Sequence, residues 1–331
     1  MIYSKIEQIK NPLSRLVYGT PGIAIEELSD HAIECYDMAY EMGFRVFDTA
    51  YSYGYGEKNL GRWLTKSGHR EDVTILDKGC NPCTKYMKPD VFCAETIRQQ
   101  VSESLERLQT DHVELYLLHR DDPNKPVDEI VEVLNELQEE GKIGQFGGSN
   151  WTLERTIKAN EYAKKHGLKG FTVCSPNYTY MRLIRDPWGG SVTLTGEKNQ
   201  KFREWLIQNQ MPVFPYSSLA RGFLSGRYHS DNRKPVEECL ADAPILEYYA
   251  PENVERLRRA EQVAAELSVS VSQIGIAWLM KQKMNLFPLV SPSGEKHLQD
   301  VVNGLHVDLS ETQMLFLDGV KDQNIDLFTG I

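Results

Sequence analysis

The chain has 331 residues and a net charge of −10, with 41% hydrophobic and 25% charged residues. These are the proportions of an ordinary globular protein able to bury a large core, and the negative balance argues against nucleic acid or an anionic membrane surface as a main partner. The first residues, Met1-Ile2-Tyr3-Ser4-Lys5-Ile6-Glu7, lack the apolar run of a signal peptide, no stretch approaches a membrane span, and the six cysteines are scattered, so the expected compartment is a reducing cytosol.

Strand and helix signals alternate along the chain with short connections. Leu16 to Gly19 reads as the first strand, and Asp30 to Met42 as a helix with Ile33, Tyr36 and Ala39 on one face. Phe44 to Asp48 is the second strand, followed by a short helix from Glu57 to Thr65. Val73 to Lys78 is the third strand, with a helix expected from Pro89 to Leu108. Val113 to His119 is the fourth strand, and Val127 to Glu140 its helix. Ile143 to Ser149 and Phe171 to Ser175 are the fifth and sixth strands, separated by a helix from Leu153 to His166. A helix from Lys198 to Gln208 leads to a seventh strand, Pro212 to Ser217. Helices from Asn253 to Leu267 and Ser270 to Lys281 precede the eighth strand, Leu286 to Val290, and Lys296 to Leu305 is the last barrel helix. Eight such steps predict one closed (β/α)8 barrel of parallel strands spanning residues 1–331 as a single domain, with extra helices and long loops. Two connections are too long for ordinary turns, 177–197 and 218–251, and their aromatic content suggests walls of a ligand site.

Three predicted strands end at ionisable residues: Asp48, Lys78 and His119. Tyr53 follows Asp48 by five positions in the loop Tyr51-Ser52-Tyr53-Gly54. In a parallel barrel the strand ends converge on one face, where catalytic groups sit. An ammonium beside a phenol favours phenolate, so Lys78 is expected to lower the pKa of Tyr53 from its usual value of about 10. Asp48 would keep Lys78 charged and fixed. His119 beside the same oxygen would orient a bound carbonyl or relay a proton. Together the four groups make a phenol able to protonate an oxygen while a nucleophile attacks the carbon.

Asp48-Thr49-Ala50, Tyr53-Gly54, the strand-end Lys78 and Leu115-Tyr116-Leu117-Leu118-His119 resemble the catalytic tetrad of the aldo-keto reductases in residue type, order and spacing, and the likeness runs from about Leu16 to about Leu305. The resemblance implies reversible reduction of an aldehyde or ketone by a nicotinamide dinucleotide, with Tyr53 as proton donor. It also implies cofactor positions. Ser149 and Asn150 match the pair that holds the carboxamide, and Ser175 stands where the family usually has glutamine. Tyr216 matches the aromatic that stacks on the nicotinamide, with Ser217 after it. The run Leu219-Ala220-Arg221-Gly222-Phe223-Leu224-Ser225-Gly226 looks like the loop over the pyrophosphate, with Leu219, Arg221, Gly222, Ser225 and Gly226 as contacts. Ser291, Ser293, Lys296 and His297 stand after the eighth strand, where the family reads the adenosine 2′-phosphate. His297 replaces the usual arginine and Val301 the usual asparagine. The resemblance implies NADP(H) as the favoured cofactor, and because an imidazole is a weaker phosphate partner than a permanent cation, NAD(H) is the alternative.

Other readings start from the same residues. Lys78 on a barrel strand suits a Schiff-base lyase, although that chemistry wants a neutral lysine. A sensor subunit of reductase ancestry would hold cofactor without turnover. No metal site is evident: Cys80-Asn81-Pro82-Cys83 has the spacing of a redox or zinc half-site but no matching second pair, and reads as a loop at the site mouth. The expected partner is a small carbonyl or alcohol. Asp121 and Asp122, past the fourth strand, could accept hydrogen bonds from a sugar or polyol. The oligomeric state is not legible.

Overall fold

The barrel is built from short strands whose alternate residues face opposite ways. A computed structural model describes residues 1–20, 27, 29–82, 91–292 and 294–319. A small antiparallel hairpin, β1 (Tyr3–Ser4) with β2 (Leu13–Ser14), opens the chain. The parallel strands follow: β3 (Val17–Gly19), β4 (Val46–Asp48), β5 (Thr74–Gly79), β6 (Val113–Leu118), β7 (Ile143–Ser149), β8 (Val173–Ser175) and β9 (Leu289–Val290). They pair in the order β8-β7-β6-β5-β4-β3-β9.

The ring closes through the predicted seventh strand, which is present but not a regular ladder. Val213 bridges Cys174 on one side and Leu286 on the other. Phe214 N–H donates to Cys174 O at 2.8 Å and Phe287 N–H to Val213 O at 2.8 Å. Pro212 and Pro215 have no N–H to give, and Ser217 turns to a φ of 56°, so only single bridges form.

Strand alternation separates two cores. Val17, Val46, Leu76, Leu115, Leu117, Val173, Phe214 and Phe287 fill the barrel interior. Ile6 and Leu13 of the N-terminal hairpin join this cluster and stopper its lower end, helped by Gln145 Nε2 donating to Glu7 O at 3.3 Å. The intervening residues, such as Phe47, Ile75, Tyr116 and Phe146, face the surrounding helices in a separate core.

The helices are α1 (Asp30–Glu41), α2 (Gly56–Ser67), α3 (Ala94–Leu108), α4 (Asp128–Glu139), α5 (Leu153–His166), α6 (Gln200–Asn209), α7 (Val236–Cys239), α8 (Asp242–Tyr248), α9 (Pro251–Leu267), α10 (Val271–Met280), α11 (Glu295–Asn303) and α12 (Glu311–Asp318). Ser29, Thr152 and Ser270 cap α1, α5 and α10 by accepting from amides of the first turn. The helix expected from Pro89 begins at Ala94, and Pro89 itself lies outside the described residues. The hairpin, α7, α8 and α12 add elements that the sequence pattern did not announce. No single helix among the described residues is long and apolar enough to cross a membrane.

Candidate active site

One step above the last apolar layer, the inward positions become polar. On β4 the inward series runs Val46 then Asp48, on β5 Leu76 then Lys78, and beyond β6 Leu117 then His119. The same parity places Ser149 on β7 and Ser175 on β8. Strand periodicity alone therefore brings Asp48, Lys78 and His119 to one end of one barrel.

Lys78 Nζ forms a short ion pair with Asp48 Oδ1 and donates to Thr49 O at 2.8 Å. Both side chains are almost fully enclosed, at 2% and 1% exposed. Tyr53 leans over this pair: its ring centroid lies 5.0 Å from Lys78 Nζ. The loop is fixed by Tyr51 N–H to Lys78 O at 2.8 Å and Tyr53 N–H to Ala50 O at 2.9 Å. His119 meets the Tyr53 ring edge-on, centroids 5.4 Å apart at 80°.

Electrostatics give each group a state. Burial draws the Lys78 pKa down, but Asp48 and the Tyr53 phenol more than reverse it, so the ammonium is stabilised. Burial raises Asp48 above the ordinary carboxylate value, against the pull of Lys78. His119 lies well below its usual value through burial and the nearby charges of Lys78 and Arg120, so the ring is neutral near pH 7. Its Nδ1 lies 3.4 Å from Ser52 Oγ. In the tautomer where Nδ1 accepts from that hydroxyl, Nε2 carries the proton. For Tyr53 the expectation of a lowered pKa is not met in this state. Burial outweighs Lys78 and leaves the phenol above its ordinary value. A phenol kept protonated is a donor in waiting, and Lys78 opposes the penalty on its conjugate base.

Ser149, Asn150, Ser175 and Tyr216 form a second, hydrogen-bonded set joined to His119. Asn150 adopts a φ of 61°. Its Oδ1 accepts from Tyr216 OH at 2.8 Å and Val192 N–H at 3.1 Å, and its Nδ2 donates to His119 O at 3.2 Å. Asn150 thus ties the His119 backbone to Tyr216 and to the long loop 177–197. Ser149 Oγ donates to Ser175 O at 2.9 Å, and Ser175 Oγ to Phe214 O at 2.7 Å, so the Ser175 hydroxyl is committed to strand closure here.

The segment from Ser217 to Gly226 is bent by left-handed backbone at Ser217, Ala220, Arg221, Gly222 and Gly226. For the non-glycine members that conformation is costly and typical of ligand loops. A Cβ on Gly226 would meet nothing, leaving its backbone accessible. Arg221 pairs with Glu247 at 3.2 Å, and its guanidinium carbon lies 5.0 Å from the Trp188 ring centroid. Burial pushes Glu247 up to about 7, with Arg221 opposing. Gly294 starts α11 without a side-chain cap, and Lys296 and His297 are exposed in its first turn. Ser291 is exposed just before them, and Ser293 lies outside the described residues. Open backbone, the exposed Lys296 and an uncapped helix start fit the phosphates of a dinucleotide.

One sequence expectation changes. Asp121 is committed to Arg155, whose Nε and Nη2 donate at 2.8 and 2.9 Å, and Asp122 Oδ1 accepts from Asn124 N–H. Asp121, with both oxygens taken, is not left facing a sugar. Cys80 is buried and its thiol is pushed up by burial and by Cys93, which disfavours thiolate; Cys83 lies outside the described residues.

The sequence profile of the aldo/keto reductase family matches residues 15–322. The chain belongs to the aldo/keto reductase family. It is 25% identical over 337 residues to an uncharacterized oxidoreductase, YrpG, of Bacillus subtilis, covering 97% of this chain and 96% of that one. It is 26% identical to the aldo-keto reductase yakc [NADP(+)] of Schizosaccharomyces pombe, covering 82% and 77%. A glycerol dehydrogenase structure from Gluconobacter oxydans superposes with a TM-score of 0.76 at 21% identity, covering 96% of this chain and 94% of that one. Family membership makes this aldo-keto reductase a nicotinamide-dependent oxidoreductase on a (β/α)8 barrel.

Proposed function

We propose that this aldo-keto reductase reversibly reduces an aldehyde or ketone to an alcohol, with Tyr53 as the proton donor. The observation that carries the reading is the buried Lys78–Asp48 pair lying beneath the Tyr53 ring, with neutral His119 at its edge. A reduced nicotinamide, when bound, supplies the hydride. The residues proposed to hold it are Ser149, Asn150, Ser175, Tyr216, Ser217, Leu219, Arg221, Gly222, Ser225, Gly226, Ser291, Ser293, Lys296 and His297. The relative named for NADP(+) and the exposed Lys296 favour NADP(H) over NAD(H).

The chain's own part is the proton. Tyr53 OH gives its proton to the carbonyl oxygen as that oxygen gains charge, and Lys78 stabilises the phenolate left behind. Asp48 and Thr49 O hold the ammonium in place. In the tautomer protonated at Nε2, His119 donates to the same oxygen and orients it. Run in reverse, tyrosinate takes the alcohol proton.

A Schiff-base mechanism is disfavoured, because Lys78 is held as an ammonium by Asp48, whereas attack on a carbonyl requires the free amine. Tyr53→Phe tests the reading. Only the hydroxyl is lost, so turnover followed by absorbance of the reduced nicotinamide should fall by about 10²–10⁴-fold, with cofactor affinity nearly unchanged. A variant retaining half the wild-type rate would remove Tyr53 from the role. Borohydride trapping of substrate carbon on Lys78 would establish the lyase instead.

A further inference from the structure

Arg120 follows His119 directly and is only 6% exposed. Its charge reaches the Tyr53 phenol, the His119 ring and Tyr216. Its backbone is pinned by Trp151 Nε1 donating to Arg120 O at 2.9 Å. Yet the guanidinium is poorly satisfied. Nη1 has one long bond, 3.3 Å, to the neutral hydroxyl of Ser191. Nε is buried with no acceptor at all. Among the described residues no carboxylate forms an ion pair with it.

The neighbouring Arg155 shows what a satisfied guanidinium looks like in this fold. It is similarly buried, and its Nε–Nη2 edge is filled by both oxygens of Asp121. Arg120 has the same fork with no carboxylate in it. A buried charge without a counterion is expensive, by several kcal/mol in general. The negative charge that reaches Arg120 is Asp186, whose carboxyl Arg120 helps to hold below its ordinary value without forming an ion pair with it. Arg120 and Arg221 approach the Trp188 ring at 5.9 and 5.0 Å respectively. Asp186, the acid in the same loop, has its oxygens engaged by the amides of Trp188 and Ser191 at 3.2 and 2.7 Å.

We propose that Arg120 is a specificity residue that binds a carboxylate carried by the carbonyl substrate, so that the preferred substrates are aldehydes or ketones bearing an acidic group near the reacting carbon. This rests on the carbonyl-reduction reading and names its substrate class. Planar bidentate capture of a carboxylate is the geometry a guanidinium edge offers. The reaction is otherwise unchanged: the carbonyl carbon gains a hydride from the reduced nicotinamide, its oxygen a proton from Tyr53, and the carboxylate remains intact.

The test compares meta- and para-carboxybenzaldehyde, each with its methyl ester, on the full chain with NADPH. Wild type should show a kcat/KM for at least one acid about 10- to 100-fold above that for its ester, the range expected of charge-assisted hydrogen bonds. Arg120→Gln should bring the acid-to-ester ratio of kcat/KM down to about 1, and Arg120→Lys should keep part of the preference. Equal kcat/KM for acid and ester in wild type overturns the proposal. So does an Arg120→Gln variant that loses acid, ester and NADPH affinity together, because the residue would then serve the cofactor or the loop. Calorimetric binding of the product alcohols, acid against ester, decides without turnover. Tighter binding of the acid in wild type, lost in Arg120→Gln, upholds Arg120 even where neither aldehyde is reduced, a result that would sink the carbonyl-reduction reading alone. Equal binding overturns the proposal.

Discussion

Asp77 and Lys78 are consecutive residues of one strand, both fully enclosed, and they live in opposite electrostatic worlds. Lys78 faces into the barrel and meets Asp48, a carboxylate of opposite charge. Asp77 faces outward, beneath α2 and α3, and neither of its oxygens accepts a hydrogen bond of good geometry, although the Lys78 amide and the Ser104 hydroxyl lie close enough to favour its charged form weakly. Its near neighbour is another carboxyl, Glu57, which accepts from Ser104 Oγ at 2.5 Å and pairs with Arg107 at 2.9 Å. Burial raises Asp77 well above the ordinary carboxylate range, and the charge of Glu57 raises it further. Glu57 is itself raised by burial, against Ser104 and Arg107. The inner face therefore pairs two opposite charges, whereas on the outer face burial and a like charge favour the protonated form of Asp77.

The largest break in this comparison is Lys78→Met. It leaves Asp48 buried without its cation, and removing one partner of a buried pair typically costs about 3–5 kcal/mol. Urea denaturation should show that loss together with loss of turnover. Adding Asp48→Asn should recover much of the stability but none of the activity. If the single variant is as stable as wild type, Asp48 is already protonated beside Lys78 and the inner pair is not an ion pair.

Asp77→Asn sharpens the comparison from the outside, with the opposite sign. An amide can donate to Glu57 and needs no proton to be neutral. Asp77 has a folded pKa above its unfolded value of about 3.9. Its favourable contribution is thus complete below that value and is lost as pH rises towards and through the folded pKa. At neutral pH the variant should be more stable than wild type by about 1–3 kcal/mol, the scale of an unsatisfied buried polar group. The gain should shrink towards pH 4. Turnover should hardly change, because Asp77 does not face the site. A destabilised variant would mean that Asp77 makes an interaction its surroundings do not reveal.

The two sides of β5 also mark what sequence can and cannot tell. Alternation within Val73 to Lys78 and Val113 to His119 was enough to send Lys78 and His119 inward together, and Asp48 with them. The family resemblance led to Asn150 and Tyr216, which prove to be joined by a hydrogen bond. Quantities that depend on burial were out of reach. Nothing in Thr74-Ile75-Leu76-Asp77 says that two helices will cover Asp77. The Tyr53 pKa was expected to move down because a nearby cation is visible in sequence, whereas desolvation is not. Irregular backbone was equally hidden. Pro212 and Pro215 reduce the seventh strand to bridges, and the two-residue strands β1 and β2 are too short for any periodicity. Arg120 was visible as a charge beside His119, but its missing counterion only appears once Asp121 is seen to belong to Arg155.

The smallest expected effect is that of Arg107→Met, and it probes how the outer face tolerates any charge at all. Arg107 reaches Glu57 at 2.9 Å and Glu103 at 3.0 Å, and its guanidinium carbon lies 4.2 Å from the Tyr51 ring centroid. Methionine keeps the apolar contact with Tyr51 and removes the cation. Glu57 then faces burial with only Ser104 and the neighbouring Asp77 carboxyl to favour its charged form, so its raised pKa should rise further. For a carboxyl raised on folding, stability is greatest at acid pH and is lost as pH climbs through the folded value. Wild type and variant should therefore be nearly alike near pH 4 and diverge above it, reaching a loss of about 1 kcal/mol at neutral pH. In the Asp77→Asn background the loss should be smaller, because the amide introduced on β5 can donate to Glu57 in place of Arg107. Urea midpoints for the four proteins across pH measure this coupling. A loss that is the same at every pH would mean that Arg107 acts only through its packing and the partly exposed pair with Glu103, and that Glu57 holds its proton regardless.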